Sequence, residues 1–161
     1  MPGHVTFPVS LRHSTLKLLS TPEETRRPNE AEIVRLVHTF YSRVRADARL
    51  GPVFAPVLDG RWDAHLARMV DFWASVMLTD GRYKGTPMQA HVRHDTFTAD
   101  LFPVWLALFE KTAHDVLEPA LADAFVERAQ RIASSLAMGI ALARGEDLPP
   151  RTRPIPVRAA P

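Results

Sequence analysis

Between residues 29 and 143, apolar side chains recur at the spacing of a helix face, and no window sustains the alternation of a strand. That periodicity confines the chain to an all-α fold in which each helix buries one stripe against its neighbours. Asn29 followed by Glu32 predicts a capping box, with Pro28 just outside it. The first helix then carries Ile33, Leu36, Val37, Phe40, Tyr41 and Val44 on one face. Gly51-Pro52 ends that run, and Pro52 opens a short helical turn through Phe54. A second long run holds Trp62, His65, Leu66, Met69, Val70, Phe72, Trp73, Val76 and Met77, with its stop predicted at Gly81. Thr86-Pro87 reads as an N-cap and first-turn proline, starting a short helix through His91. The next helix carries Leu101, Val104, Trp105, Leu108, Phe109, Thr112 and Val116, and Pro103 fits in its first turn. Glu118-Pro119 opens the last helix, with Leu121, Phe125, Ile132, Leu136 and Ile140 on one face and Gly145 as its stop. Four long helices and two or three short ones are expected.

The length of 161 residues suits one domain with room for a sizeable core. The domain is expected over 29–145. Residues 1–28, with four prolines, read as an N-terminal extension expected to be flexible. Residues 146–161 form a Pro/Arg-rich tail expected to be disordered. The net charge of +2 belongs to the ends. Residues 29–143 carry 12 basic and 14 acidic side chains, so the folded surface lacks the positive face that nucleic acid needs. The absence of cysteine excludes disulfides, iron–sulfur clusters, thiolate ligation and the Cys-x-x-Cys-His attachment of a c-type haem. It is compatible with a reducing cytosol, and a cytoplasmic chain is expected. No apolar run approaches the roughly 20 residues that span a bilayer. The first twenty residues are interrupted by Pro8, Arg12, His13 and Lys17, unlike a signal peptide. No histidine pair at i, i+4, Gly-x-Ser-x-Gly, Walker motif or Gly-x-Gly-x-x-Gly is present.

Three residues fit a plain helical bundle poorly. His65 lies on an apolar stripe, one turn before Met69 and two before Trp73. Tyr41 places a hydroxyl on the core face of the first helix, and His91 ends a short helix with a strong start signal. Taken alone, each has an ordinary explanation. A histidine on an apolar face is commonly a hydrogen-bonded core residue, and a core tyrosine commonly finds a backbone partner. Trp62, Trp73 and Trp105 serve as core filling, and His38, His91, His94 and His114 as surface. The alternative is chemical. Neutral imidazole is the commonest protein ligand of haem iron, and a haem pocket needs one such ligand facing a mostly apolar wall with a few donors.

Four ordered blocks bear on that choice. The first is Phe40-Tyr41-x-x-Val44-Arg45-x-Asp47-x-x-Leu50-Gly51-Pro52-Val53-Phe54, and the second Trp62-x-x-His65-x-x-x-Met69-x-x-Phe72-Trp73. Tyr83-x-Gly85-x-Pro87-Met88-x-x-His91 and Trp105-Leu106-x-Leu108-Phe109 follow. In order and spacing they resemble the group III truncated haemoglobins, over roughly residues 30 to 143. The resemblance implies a two-over-two helical sandwich around non-covalent haem b. By motif position, His91 matches the proximal iron ligand, and Tyr41, His65 and Trp105 match the polar distal residues. Met69 matches a distal wall position, and Phe54 the aromatic that packs on the porphyrin; Phe72 and Trp73 belong to the same wall. Arg93 has the reach for a haem propionate, or is an exposed loop arginine. Val92-Arg93 stands where relatives usually read Leu-Pro.

The implied activity is binding of dioxygen or another diatomic ligand, such as nitric oxide or carbon monoxide. A crowded polar distal side favours chemistry over transport. One expectation is therefore a haem oxidoreductase acting on nitric oxide or peroxide with electrons from an unidentified reductase. The competing class is a haem-based gas sensor or store without turnover. His65 is open as a sixth iron ligand in the absence of gas. No nucleic acid or membrane partner is expected, and the chain is expected to be a monomer or weak dimer.

Overall fold

Six helices carry the regular structure of this computed structural model, which describes residues 26–93 and 97–147. They are α1 (Glu30–Ala46), α2 (Gly51–Leu58), α3 (Trp62–Leu78), α4 (Pro87–Val92), α5 (Leu101–Val116) and α6 (Pro119–Arg144). The expectations made for residues 1–25, for His94 and for residues 148–161 lie outside the described residues. The fold is all-α, as the periodicity requires. The α1–α3 pair packs over the α5–α6 pair, with α2 joining the first pair and α4 lying on α6. Among the described residues, no helix is long and apolar enough to cross a membrane.

The predicted capping box starts α1. The Glu32 N–H donates to Asn29 Oδ1 at 2.9 Å, and the Asn29 N–H donates to Glu32 Oε2 at 2.9 Å. Arg26 adds a bidentate contact to the same carboxylate, at 3.0 and 2.6 Å, and Pro28 is buried. The last residues of the N-terminal extension therefore lie against the domain. The apolar stripe of α1 is buried as read, from Ile33 through Val44.

An aromatic stack forms the centre of the core. Phe109 lies between Trp105, at 5.1 Å and 8° between ring planes, and Trp73, at 5.0 Å and 17°. Phe40 meets Trp105 and Phe109 edge-on, each at 5.1 Å, which locks α1 to α5. Small residues on α6, including Ala129, Ala133 and Ala137, are buried and let neighbouring helices approach. Gly139 shows the limit of that approach: a Cβ there would stand 2.2 Å from Met88 Cε of α4. At the other corner, a Cβ on Gly51 would stand 2.8 Å from the Arg45 carbonyl oxygen.

Three local features differ from the expectations. Helix α2 continues past Phe54 to Leu58 with Pro56 inside it, and Val53, Phe54, Val57 and Leu58 line one cavity wall. Helix α3 ends at Leu78, before Gly81, and Thr79 takes the left-handed cap at φ 57. There the Tyr83 N–H donates to Ser75 Oγ at 2.8 Å, which folds the chain back early. The Thr86 hydroxyl donates to Gln89 Oε1 at 3.0 Å and does not cap the α4 backbone.

The α1 cap yields a pH signature. The Arg26 guanidinium, followed by the Asn29 N–H, holds the Glu32 carboxyl down to about 2. A lowered carboxylate stabilises the fold fully above its unfolded value, near pH 4.3, and loses that contribution as the pH falls toward 2. Asn29→Ala is expected to cost about 1 kcal/mol in urea unfolding at neutral pH. Glu32→Gln is expected to flatten the acid limb of the stability curve.

Candidate functional site

Helix α4 is short, and two aromatic rings fix its histidine. Phe97 meets His91 edge-on at 5.0 Å, and Phe102 lies at 6.4 Å with its plane tilted 30°. His91 Nδ1 is 2.8 Å from the Pro87 carbonyl oxygen. A carbonyl only accepts, so Nδ1 carries the hydrogen and donates it. In its neutral form the ring would present Nε2 as its lone-pair nitrogen, the tautomer suited to metal ligation.

Two adjoining cavities, of about 280 and 150 Å³, open beside this ring, and both are lined by His65, His91, Phe54, Phe97 and Arg68. Tyr41, Met69, Phe72, Trp73 and Trp105 also line the smaller one. His65 meets Tyr41 edge-on at 4.8 Å. Its Nε2 is the one buried side-chain polar atom among the described residues without a hydrogen-bond partner. Burial, with the positive charge of Arg68 and the neighbouring His91, pushes the His65 imidazole down to about 4, so it is neutral at pH 7. Burial also holds the Tyr41 phenol well above its usual range, so it stays a hydroxyl.

The structure thus gathers His65, His91, Tyr41, Trp105, Phe54, Met69, Phe72 and Trp73 around one space. It does not bring Arg93 there. Arg93 is exposed at the C-cap of α4 and lines neither cavity. The arginines on the wall are Arg61 and Arg68, which sequence reasoning missed. Their spacing of seven residues on the stripe that carries His65 was the available signal. Phe97, Phe102 and Tyr83 were also missed as wall residues. Phe97 lies outside any periodic run, and Tyr83 reaches the wall from a loop, packed on Phe72 at 5.2 Å.

The donor set can be tested against haem on these observations. Among the described residues, no three His, Cys, Asp or Glu side chains gather that could hold a bare metal ion. Two imidazoles in an aromatic cavity suit a metal that brings most of its own ligands. An unpartnered buried Nε2 on His65 and a directed tautomer on His91 are what such a group would satisfy. The residues fit haem.

A helical sandwich of this kind, with paired imidazoles in an aromatic cavity, places the chain among globin-type haem proteins. The comparisons with known proteins make the family specific. A group 3 truncated hemoglobin of Campylobacter jejuni is 36% identical over 109 residues, covering 66% of this chain and 86% of that protein. The crystal structure of a group III truncated hemoglobin from Campylobacter jejuni superimposes with a TM-score of 0.65 at 34% identity, covering 68% of this chain and 89% of that one. No family model matches the chain. The chain belongs to the group III truncated haemoglobins.

The burial of His65 has a measurable consequence. Its folded-state value lies near 4, below the unfolded value of 6.5, so between these the unfolded chain binds more protons and stability rises with pH. Compared with His65→Leu, the parent chain is expected to lose stability as the pH drops through that window. Urea unfolding at a series of pH values measures this. Parallel curves for the two proteins would mean the ring is solvated.

Proposed function

We propose that the chain holds haem b in the cavity between α3 and α4, with His91 as the iron's protein ligand. On this reading it binds dioxygen or another diatomic gas on the side lined by Tyr41, His65 and Trp105. The observation that carries the reading is the His91 Nδ1–H bond to the Pro87 carbonyl at 2.8 Å, which orients one imidazole for ligation in a cavity that also holds the unpartnered Nε2 of His65. Haem, when bound, supplies an iron centre that takes up a small ligand and changes oxidation state.

The chain's own residues supply the setting. Phe54, Met69, Phe72 and Trp73 give the cavity apolar walls, which disfavour water. Tyr41 and Trp105 carry a hydroxyl and an indole N–H, fixed donors suited to a ligand that takes on partial negative charge. His65, neutral at pH 7, serves as a further donor or as a sixth ligand. Arg61 and Arg68, on the wall of the larger cavity, are the cations that would hold the propionates. Three polar residues beside one gas site favour retention and redox chemistry over transport. We therefore read the chain as an oxidoreductase acting on nitric oxide or peroxide in the cytoplasm, with electrons from an unidentified reductase, as a monomer or weak dimer. A gas store or sensor is the alternative, and a dioxygen dissociation rate as fast as that of ordinary carriers would favour it. The globin domain is taken as 29–145, with residues 1–28 and 146–161 as extensions.

Protein purified with haem supplied is expected to show a Soret band, and a ferrous–carbon monoxide spectrum that His91→Ala largely abolishes. Absence of the band sinks the haem reading, whereas an unchanged spectrum in His91→Ala moves the ligand to another histidine. A second measurement addresses His65. If the deoxy ferrous spectrum is six-coordinate and becomes five-coordinate in His65→Ala, the imidazole binds iron when gas is absent. A five-coordinate spectrum in the parent chain leaves His65 as a donor only.

A further inference from the structure

Helix α3 begins without a side-chain cap: Arg61 occupies the N-cap and makes no cap hydrogen bond. The chain enters it through Gly60, which is left-handed at φ 70. Its first residue, Trp62, is held differently. The guanidinium carbon of Arg45 lies 4.8 Å from the centroid of the Trp62 ring, a cation–π contact. Arg45 belongs to the last turn of α1, so the contact ties the end of α1 to the start of α3 across the corner that α2 makes. One turn into α3, Trp62 meets His65 edge-on, at 6.3 Å and 89°. His65 meets Tyr41 edge-on on its other side, at 4.8 Å and 88°.

The two neighbours of His65 are anchored unequally. Tyr41 is buried in the core against Phe40 at 5.0 Å and Phe54 at 6.3 Å. Trp62 is half-buried, and its outer face carries the exposed Arg45. His65 Nε2 makes no hydrogen bond, and edge-on contacts with Trp62 and Tyr41 flank the ring. The less buried of these two neighbours, which also packs on the core, is the one that a surface arginine covers.

We propose that Arg45 and Trp62 are positioning residues for His65, holding the first turn of α3 so that the imidazole keeps one orientation in the cavity and sets the ease with which a gas enters. The proposal rests on the reading of this cavity as a haem site. Neither residue touches the reacting ligand; both act through His65.

The test uses the full haem-loaded chain with carbon monoxide as probe, reading the association rate after flash photolysis and the carbon monoxide stretching band. An exposed cation–π contact corresponds to about a two- to five-fold shift in a conformational ratio, so Arg45→Ala is expected to change the association rate by that factor and broaden or split the band. Trp62→Leu is expected to do the same, and Arg45→Lys, which keeps the cation, to stay near the parent. In a His65→Ala background the same replacements are expected to leave rate and band unchanged, because the residue they act through is gone. An unaltered rate and band in Arg45→Ala overturns the proposal. So does a change of equal size that persists without His65, which would assign the effect to surface charge or general destabilisation. A parent chain that takes up no carbon monoxide overturns the haem reading, and this proposal with it.

Discussion

The stack of Phe109 between Trp73 and Trp105 is the contact on which the rest of the molecule depends. Each aromatic pair contributes about 0.5–1.5 kcal/mol beyond the area it buries, and the flat rings also set a fixed spacing between α3 and α5. Once Trp73 is seated, the helical period places Phe72, Met69 and His65 beside it along the same stripe. These residues line the cavity together with Phe102 and Trp105 of α5. The same packing that stabilises the fold therefore borders the cavity that His65 and His91 line.

The opposite wall is built on less. Six residues of α4 cannot form a stable helix in isolation, and the Thr86 side chain does not cap them. The helix persists because Met88 seats over Gly139 of α6 and because Phe97 and Phe102 flank His91. Tertiary contacts thus hold His91 in place, and the Pro87 carbonyl fixes the hydrogen on Nδ1.

Burial also decides the charge state of the polar residues. Tyr41 and His65 are both driven toward their neutral forms, and the fixed charges nearby are the two arginines on the cavity wall. Neutral donors inside with cations on α3 suit a flat, largely apolar group with an anionic edge. This is why the donor set is legible as a haem site and poorly suited to a bare metal ion.

Much of this could be read from the sequence. The 3.6-residue period determined the all-α class, and the Asn29–Glu32 pair determined where the first helix begins. The order of Tyr41, His65, His91 and Trp105 within four blocks was enough to name the family and to nominate every one of those residues. Each of these features is local or is carried by spacing along the chain. What spacing cannot carry is the approach of segments distant in sequence. Only the tertiary structure decided that Arg61 and Arg68, and not Arg93, line the cavity, because Arg93 caps the end of α4 and is exposed there. It likewise decided that Phe97 and Tyr83, outside any periodic run, close the wall, and that Arg45 of α1 rests on Trp62 of α3. Those contacts depend on how helices cross, and that angle is set by the shape of the packed core, which no single stretch of sequence contains.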